Sequence, residues 1–206
     1  MMWGMPRTAD ANAVLREKTR ERVLQAAVRL FSRHGFDGTS VRALAQEADI
    51  AVGLLYSHFA SKEAVLSALM QSSMLDVART LEAADLEPTA RGFVTVLLTS
   101  AVEMMDAHRD LWRLSQGLRH QPEVLARLKL PFEHFLGATH QRLKAALAAR
   151  GVPEADIEAR VLFALVEGIS QQYVQHEGGY PAAKVIRAAA RRWPATPSRK
   201  RKADTP

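Results

Sequence analysis

The segment from Thr39 to Phe59 reads TSVRALAQEADIAVGLLYSHF, and its apolar residues recur at the three- and four-residue spacing of a helix. Two helices are predicted within it, over residues 39–47 and 51–58, separated by a few residues around Asp49. Two short helices joined by so brief a turn cross at a steep angle, and in a helix-turn-helix the second of them lies in the major groove of DNA. The segment therefore predicts a helix-turn-helix over residues 39–59.

The first predicted helix offers groups suited to a phosphate. Thr39 or Ser40 can cap it, and the free N–H groups at that end favour a phosphate oxygen. Arg42, one turn in, is placed to reach a base edge or a phosphate. Farther along the chain, Lys62 can donate to a phosphate, a contact that fixes register and carries no sequence information.

The second predicted helix is expected to be anchored to the core by Ile50, Leu55 and Phe59. The side chains left to approach DNA are Ala51, Val52, Gly53, Leu54, Tyr56 and His58. A glycine costs a helix roughly 1 kcal/mol against alanine, which is tolerated where the backbone must come close to another surface. Gly53 is therefore interpreted as a point of close approach to DNA.

An ordered set of residues extends on both sides of this motif: Ala27, Phe31, Gly35, Thr39, Leu44, Ala45, Gly53, Tyr56, Phe59, Lys62 and Glu63. This set resembles the N-terminal domain of TetR-family transcriptional regulators, over roughly residues 17–77. The resemblance implies an all-helical homodimer that binds palindromic operator DNA and is released by a small molecule bound in a larger C-terminal domain. Carried over by position, it implies DNA contacts by Thr39, Arg42, Tyr56, His58 and Lys62.

The start of the predicted recognition helix departs from the family pattern. Where the family often has Ser or Thr followed by a polar residue, this chain has Ala51 and Val52, and Leu54 stands where Thr is common. Apolar contacts to thymine methyl groups, Arg42 and DNA shape are therefore expected to supply more of the specificity. The same apolar residues favour an alternative, a helical ligand-binding or interaction protein that keeps the domain without specific DNA recognition.

The whole chain is predicted to be all-α. It has 206 residues, of which 48% are hydrophobic and 24% charged, an ordinary globular composition. Helical spacing and the placement of glycines and prolines predict about nine helices. Four regions are expected: a flexible arm over residues 1–15, the helix-turn-helix domain over 16–62, a helical ligand-binding and dimerisation domain over 63–193, and a basic disordered tail over 194–206.

Charge and composition limit the possible partners and location. The net charge is +6, with basic ends around an acidic middle, which suits a chain whose ends meet a polyanion. The tail run from Ser198 to Lys202 is either a solvated tail or a source of nonspecific attraction to DNA. There is no cysteine, secretory signal or membrane span in the sequence, so the cytoplasm is the expected location and no membrane partner is predicted.

No catalytic or metal-binding pattern is found in the sequence. The seven histidines are scattered, and no zinc, P-loop, dinucleotide or nucleophile-elbow motif is present. The chain is therefore predicted not to be an enzyme, to bind no metal and to need no cofactor besides a small-molecule effector.

The C-terminal region carries predictions of a dimer face and an effector pocket. Residues 161–169 are apolar nearly all round the helix, so a partner subunit is expected to cover them, unless both faces are buried within one subunit. The expected interface residues are Val161, Leu165, Ile169, Val185, Ile186, Ala189 and Trp193. The candidate pocket residues are Phe93, Met104, Met105, His108, Trp112, Phe132, Phe135, Phe163, Glu167 and Gln171. Glu167 either orients a cationic ligand or pairs with an arginine across the interface.

Overall fold

The computed structural model describes residues 9–118, 121–128, 132–176 and 178–195, and every regular element in these ranges is an α-helix. The all-α prediction is confirmed, with ten helices in these ranges against about nine predicted. The helices are α1 (Ala9–His34), α2 (Val41–Glu47), α3 (Val52–His58), α4 (Lys62–Asp85), α5 (Ala90–Ala107), α6 (Arg109–Leu118), α7 (Pro122–Arg127), α8 (Phe132–Ala149), α9 (Ala155–Gln175) and α10 (Ala182–Ala190). None of the described helices is both long and apolar enough to cross a membrane.

The first helix extends into the predicted flexible arm. α1 begins at Ala9, so residues 9–15 are helical, in line with the alanines at positions 9, 11 and 13. Val14 and Leu15 on this extension are exposed by 55% and 47%. The rest of the predicted arm, residues 1–8, and the tail from residue 196 onward lie outside the described residues.

The chain divides into two compact units, each considered by itself. The first comprises Met1–Ser72 and Gly117–Leu130, and the second comprises Ser73–Gln116 and Pro131–Pro206. The first unit therefore includes ten residues beyond position 62, where the sequence suggested a domain boundary, and also the distant segment that carries α7. The predicted boundaries themselves stay a prediction.

The core of the first unit forms around one face of α1. Val23, Ala27 and Phe31 are buried on that face at helical spacing. The Phe31 ring lies 5.3 Å from the ring of Phe36, which follows α1. The rest of this core comes from α2, α3, α4 and α7 through Leu44, Ala45, Leu55, Phe59, Val65, Leu66, Leu69, Val124 and Leu128.

The core of the second unit lies among α5, α8, α9 and α10. Phe93, Leu147 and Leu162 are fully buried in it. The segment after α10 is fastened to the start of α5, because the Arg91 side chain donates to the Trp193 carbonyl at 3.0 Å and the Arg91 backbone N–H donates to the Pro194 carbonyl at 3.0 Å. This fastening holds the buried Trp193 ring in the core.

A single arginine ties the end of α8 to the connection between α4 and α5. The Arg150 guanidinium donates to the backbone carbonyls of Asp85 at 3.0 Å, Glu87 at 2.9 Å and Ala146 at 2.8 Å. It also lies 4.5 Å from the centre of the Phe93 ring, and its side chain is only 9% exposed. Because the planar guanidinium reaches three acceptors in fixed directions, a lysine cannot replace it.

We expect Arg150→Lys to lower the free energy of unfolding by about 1 to 3 kcal/mol, because three backbone carbonyls, two of them in part-buried hydrogen bonds, lose a charged donor. The measurement is urea denaturation followed by circular dichroism. Arg142→Lys is the matched control, since Arg142 is exposed and lies 3.5 Å from the Asp85 carboxylate, and its loss should be within about 0.5 kcal/mol. Equal losses for the two variants would contradict the assigned role of Arg150.

Candidate nucleic-acid interface

The start of α2 is built by two adjacent hydroxyl residues with different roles. Ser40 is the N-cap, and its Oγ accepts a hydrogen bond from the Ala43 backbone N–H at 3.1 Å. Thr39 is only 3% exposed and its hydroxyl donates to the Gly35 carbonyl at 2.8 Å. Of the two capping candidates, the structure therefore uses Ser40. The Thr39 side chain instead packs inside the loop, and its contact with DNA stays a prediction.

The turn between α2 and α3 depends on one left-handed residue. Asp49 has φ of 52°, a conformation that Asp tolerates better than most residues. After it, α3 begins at Val52 with no side-chain cap from Ala51, and its inner side is anchored by Leu55 and Phe59, which are 0% and 4% exposed. The predicted anchoring by these two residues is found, and the helix has the expected length within one residue.

An arginine of α1 holds this turn in place. One terminal nitrogen of Arg22, Nη2, lies 2.6 Å from the Ala48 carbonyl oxygen, 2.8 Å from the Asp49 carbonyl oxygen and 3.2 Å from the Asp49 carboxylate. Arg29 of α1 also forms an ion pair with Glu47, the last residue of α2, at 2.7 Å. These contacts fasten the end of α2 and the first part of the turn to α1, and α3 follows directly from that part of the turn.

Lys62 fastens the loop on the other side of α2. Its Nζ donates to the carbonyls of Phe36 at 2.8 Å and Thr39 at 3.0 Å, and lies 3.4 Å from that of Asp37. It also lies 4.4 Å from the centre of the Phe36 ring. Because a lysine has three N–H donors, these backbone acceptors occupy all of them. In this structure Lys62 therefore holds the loop that carries the Ser40 cap, and its contact with a phosphate stays a prediction.

The outer side of α3 is exposed and apolar. Val52, Leu54 and Tyr56 are exposed by 36%, 44% and 52%, and they are three of the eight exposed large hydrophobic residues in the described part of the chain. Gly53 lies between them, and a Cβ built there meets no atom within 4 Å. Nothing within the described chain therefore requires a glycine at this position, which supports its interpretation as a point of close approach to another molecule.

A surface groove of about 490 Å³ runs beside α3. It is lined by residues 37–41, by Tyr56 and by residues 60–63 at the start of α4. Ser61 caps α4, its Oγ accepting from the Ala64 N–H at 3.2 Å. The carboxylate of Asp37 at the edge of the groove is paired with Arg127 of α7 at 3.1 Å, which lowers the negative charge facing it. The groove thus brings the Tyr56 phenol and two serine hydroxyls to one place on the surface.

The remaining predicted DNA contacts stand at the edges of this surface. Arg42 is exposed on α2 and has no ion-pair partner in the described ranges. His58 is half-buried in the last turn of α3. Ala51 is exposed just before the helix begins. Ser40 and Tyr56 thus line one groove, while Arg42, Ala51, Val52, Gly53 and Leu54 are exposed on the two helices of the motif or next to them.

Sequence reasoning missed the residues that hold this surface in position. The turn around Asp49 was predicted, and the left-handed conformation of Asp49 had a signal as well, because Asp adopts positive φ more readily than most residues. Arg22 and Arg127 carried none, since their partners lie 27 and 90 residues away along the chain. Pairs so distant in sequence are brought together only by the packing of α1 and α7 in the first unit.

The predicted pocket residues of the second unit fall into several environments. Phe93, Met105 and Trp112 are buried in its hydrophobic clusters, while Phe135, Phe163 and Glu167 are half-buried and Gln171 is exposed. Met104 and His108 line an open surface cavity of about 290 Å³ together with Asp76, Arg79, Thr80, Ala83, Ser100 and Ala107. The Phe132 side chain lies outside the described residues. Several of the ten candidates are thus used to pack the core, and the effector pocket stays a prediction.

The predicted dimer face is divided between core and surface. Ile169, Ile186 and Trp193 are 5%, 5% and 1% exposed and belong to the core of their own unit. These three side chains are covered within their own unit, and their part in an intersubunit contact stays a prediction. The other four residues are half-buried and stay a prediction: Val161, Leu165, Val185 and Ala189.

Comparison with known proteins gives one family for the first unit. Residues 23–69 match the family model described as "Bacterial regulatory proteins, tetR family". This range includes the whole of α2 and α3 and the Asp49 turn, and it begins one residue after Arg22.

The relatives are regulators of transcription by name. The chain is 32% identical over 121 residues to the HTH-type transcriptional regulator UidR of Escherichia coli K12, over 55% of this chain and 58% of that protein. It therefore spans little more than half the length of that relative. It is 26% identical over 161 residues to the HTH-type transcriptional repressor AcnR of Corynebacterium efficiens, over 76% of this chain and 80% of that protein. The fold is similar to that of FadR from Bacillus subtilis in complex with stearoyl-CoA, with a TM-score of 0.69, 17% identity, and coverage of 83% of this chain and 95% of that one.

The role found for Lys62 can be separated from a phosphate contact. We expect Lys62→Met to lower the free energy of unfolding by about 1 to 3 kcal/mol, because backbone carbonyls lose a charged donor. The affinity for mixed-sequence duplex DNA is then measured at several salt concentrations, at a temperature where the variant is folded. The slope of log affinity against log salt concentration should equal that of the unaltered protein. Lys18→Met, on the exposed part of α1, is the control for loss of charge. A slope reduced by about 0.9 in Lys62→Met alone would instead indicate one lost phosphate contact.

Proposed function

The chain belongs to the tetR family of bacterial regulatory proteins through its N-terminal domain, and on that premise we propose that it is a sequence-specific DNA-binding transcriptional regulator. Its mode of action is repression: it binds a palindromic operator as a homodimer and leaves it when a small molecule binds. As a DNA-binding regulator it acts in the cytoplasm. Catalysis is not part of this proposal.

One observation carries the proposal. α3 presents its outer face to solvent while its inner face is anchored by Leu55 and Phe59, and the turn before it is held by Arg22. A helix that enters the major groove must protrude in this way and keep its direction, since base contacts need side chains at fixed positions. The exposed apolar residues and the glycine at position 53 lower the stability of the free protein. Contact with DNA offsets this loss, because it covers the apolar side chains.

The groove beside α3 supports a phosphate contact next to the bases. Tyr56 and the hydroxyl residues Ser40 and Ser61 stand on its walls, and hydroxyl and phenol groups commonly donate to DNA phosphates. Such contacts fix the register of a recognition helix on the duplex. Arg42 adds an exposed positive charge on the neighbouring helix.

The palindrome follows from two-fold symmetry. A homodimer presents two identical recognition helices, so its half-sites should be related by a two-fold axis and lie about one helical turn apart. The half-buried apolar residues of α9 and α10, Val161, Leu165, Val185 and Ala189, are the proposed intersubunit contacts.

A small-molecule effector is supported by a buried group of the second unit that lacks a hydrogen-bond partner. The indole N–H groups of Trp112 and Trp193 are both buried without an acceptor among the described residues, and Trp112 is one of the candidate pocket residues. An unsatisfied buried donor costs about 1 to 3 kcal/mol, so a ligand that supplies an acceptor there would bind favourably. The effector then releases the protein from DNA because it binds more tightly to the conformation with lower DNA affinity. Such coupling typically lowers the affinity for DNA by about 5- to 150-fold. The Bacillus FadR, solved with stearoyl-CoA, is a protein of the same fold with a bound small molecule.

The alternative is a helical binding protein that retains the domain without specific DNA recognition. The absence of hydrogen-bonding side chains at residues 51–54 favours it. The two functions differ in the ratio of specific to nonspecific affinity. A regulator should bind its site at least about 1,000-fold more tightly than random DNA, and the alternative predicts only salt-sensitive, sequence-independent binding.

The test is selection from a random duplex pool at about 150 mM salt with excess nonspecific competitor, followed by sequencing of the bound fraction. We expect an enriched palindrome, and loss of its enrichment when Tyr56→Ala is used in place of the unaltered protein. Analytical ultracentrifugation should give the same oligomeric state for both proteins. Measurable binding with no enriched sequence would favour the alternative function.

Gly53 offers a prediction in which stability and DNA affinity move in opposite directions. We expect Gly53→Ala to raise the free energy of unfolding by about 0.5 to 1 kcal/mol, because the methyl group enters open space on a helix. Affinity for the selected palindrome should fall by roughly tenfold or more, since the added methyl holds the helix away from DNA.

The matched control is Gly137→Ala in α8, where a Cβ also meets no atom within 4 Å. It should give a similar gain in stability and leave DNA affinity unchanged. An unchanged affinity in Gly53→Ala as well would show that the α3 backbone does not approach DNA closely at this residue.

A further inference from the structure

The exposed start of α3 carries no side-chain hydrogen-bonding group. Residues 51–54 are Ala, Val, Gly and Leu, and the first polar side chains on the helix come at Tyr56 and Ser57. The Ser57 hydroxyl donates to the Leu54 carbonyl at 2.7 Å, so its hydrogen is already used within the helix. In a recognition helix, the N-terminal residues are the ones that meet the base edges. This helix therefore meets them with apolar groups.

The base edges of the major groove differ in what an apolar side chain can contact favourably. Guanine, adenine and cytosine present hydrogen-bond acceptors or donors there, whereas thymine adds a methyl group to its one acceptor. An apolar side chain pressed against a polar edge removes water without replacing its hydrogen bonds, which is unfavourable. Against a thymine methyl the same side chain removes two apolar surfaces from water, which is favourable.

Val52 and Leu54 are the two side chains positioned for this contact. They are exposed by 36% and 44%, and they lie on either side of Gly53, where the backbone is open to close approach. Both are held at fixed positions, because the buried Leu55 anchors the same turn of the helix. An apolar pair exposed on a short helix is unfavourable for the free protein, and this indicates a surface used in binding.

We propose that Val52 and Leu54 are specificity-determining residues that read thymine methyl groups, so that each operator half-site has thymines at the positions facing the start of α3. This inference rests on the proposed function and adds to it the base that is recognised and the chemical group by which it is recognised. Specificity at these positions comes from a methyl contact and not from a hydrogen bond.

The test replaces thymine by uracil in the palindrome obtained by selection. Uracil keeps the base pair and the major-groove acceptor and lacks only the methyl group, so the comparison isolates that group. Each thymine is replaced in turn, in both half-sites together, and affinity is measured by fluorescence anisotropy. We expect one or two positions at which the replacement weakens binding by roughly tenfold, which corresponds to one buried methyl group in each half-site.

Variants of the protein then show which side chain contacts the methyl group. When the replaced thymine is the one read by Leu54, Leu54→Ala should bind the thymine and uracil duplexes with equal affinity, because the side chain that contacts the methyl group is gone. The same holds for Val52→Ala at the thymine read by Val52. Leu75→Ala is the matched control, an exposed leucine of α4 for which the roughly tenfold difference should persist. All three side chains are exposed, so thermal unfolding monitored by circular dichroism should show each variant folded.

The possible outcomes separate this inference from the function on which it rests. A palindrome that binds equally well with uracil at every position overturns the inference and leaves the proposed function intact. A uracil effect that persists in both Leu54→Ala and Val52→Ala also overturns it, because the methyl group then acts through DNA shape or another residue. A random pool with no enriched sequence overturns the proposed function, and the inference with it.

Discussion

α3 has only seven residues, which is too few for a helix to persist alone in water, so its shape and direction depend on contacts from elsewhere in the first unit. The decisive contact is the Arg22 guanidinium on the Asp49 turn, where one nitrogen lies within hydrogen-bond distance of two successive carbonyl oxygens. Burial of Leu55 and Phe59 supplies the apolar part of the anchor. Because these contacts hold α3 in place, the side chains on its outer face are not needed to stabilise the fold.

The outer face of α3 therefore tolerates residues that are unfavourable for helix stability. It has an uncapped start at Ala51, a glycine at position 53 and exposed apolar side chains at positions 52 and 54. Each lowers the stability of the free protein by a small amount, through a missing cap, backbone entropy or apolar surface in water. Such departures concentrate at functional sites, where binding offsets their cost.

The positive charge of the chain is a poor guide to which cations meet DNA. Arg22, Lys62 and Arg127 all lie near the helix-turn-helix, and each is engaged with backbone carbonyls or with a carboxylate of its own unit. Arg42 is exposed and unpaired in the described ranges. Lysine and arginine side chains near an interface thus divide between holding the surface together and presenting charge, and only their hydrogen-bond partners distinguish the two.

The sequence by itself determined the helical class, the position of the helix-turn-helix and the anchoring residues of α3. These depend on local spacing, since apolar residues three and four apart mark the buried face of a helix wherever it packs. The exposed face was predictable for the same reason, and it includes Val52, Gly53, Leu54 and Tyr56.

Only the tertiary structure decided which polar residues near this face are available. Thr39 and Lys62 were expected at a phosphate, yet Thr39 is buried and the Lys62 donors are taken by the loop before α2. In the second unit, Ile186 and Trp193 were expected at a partner subunit and are buried in the core. The physical reason is that hydrogen-bond partners and burial are set by residues distant along the chain, and the spacing of a single helix carries no information about them.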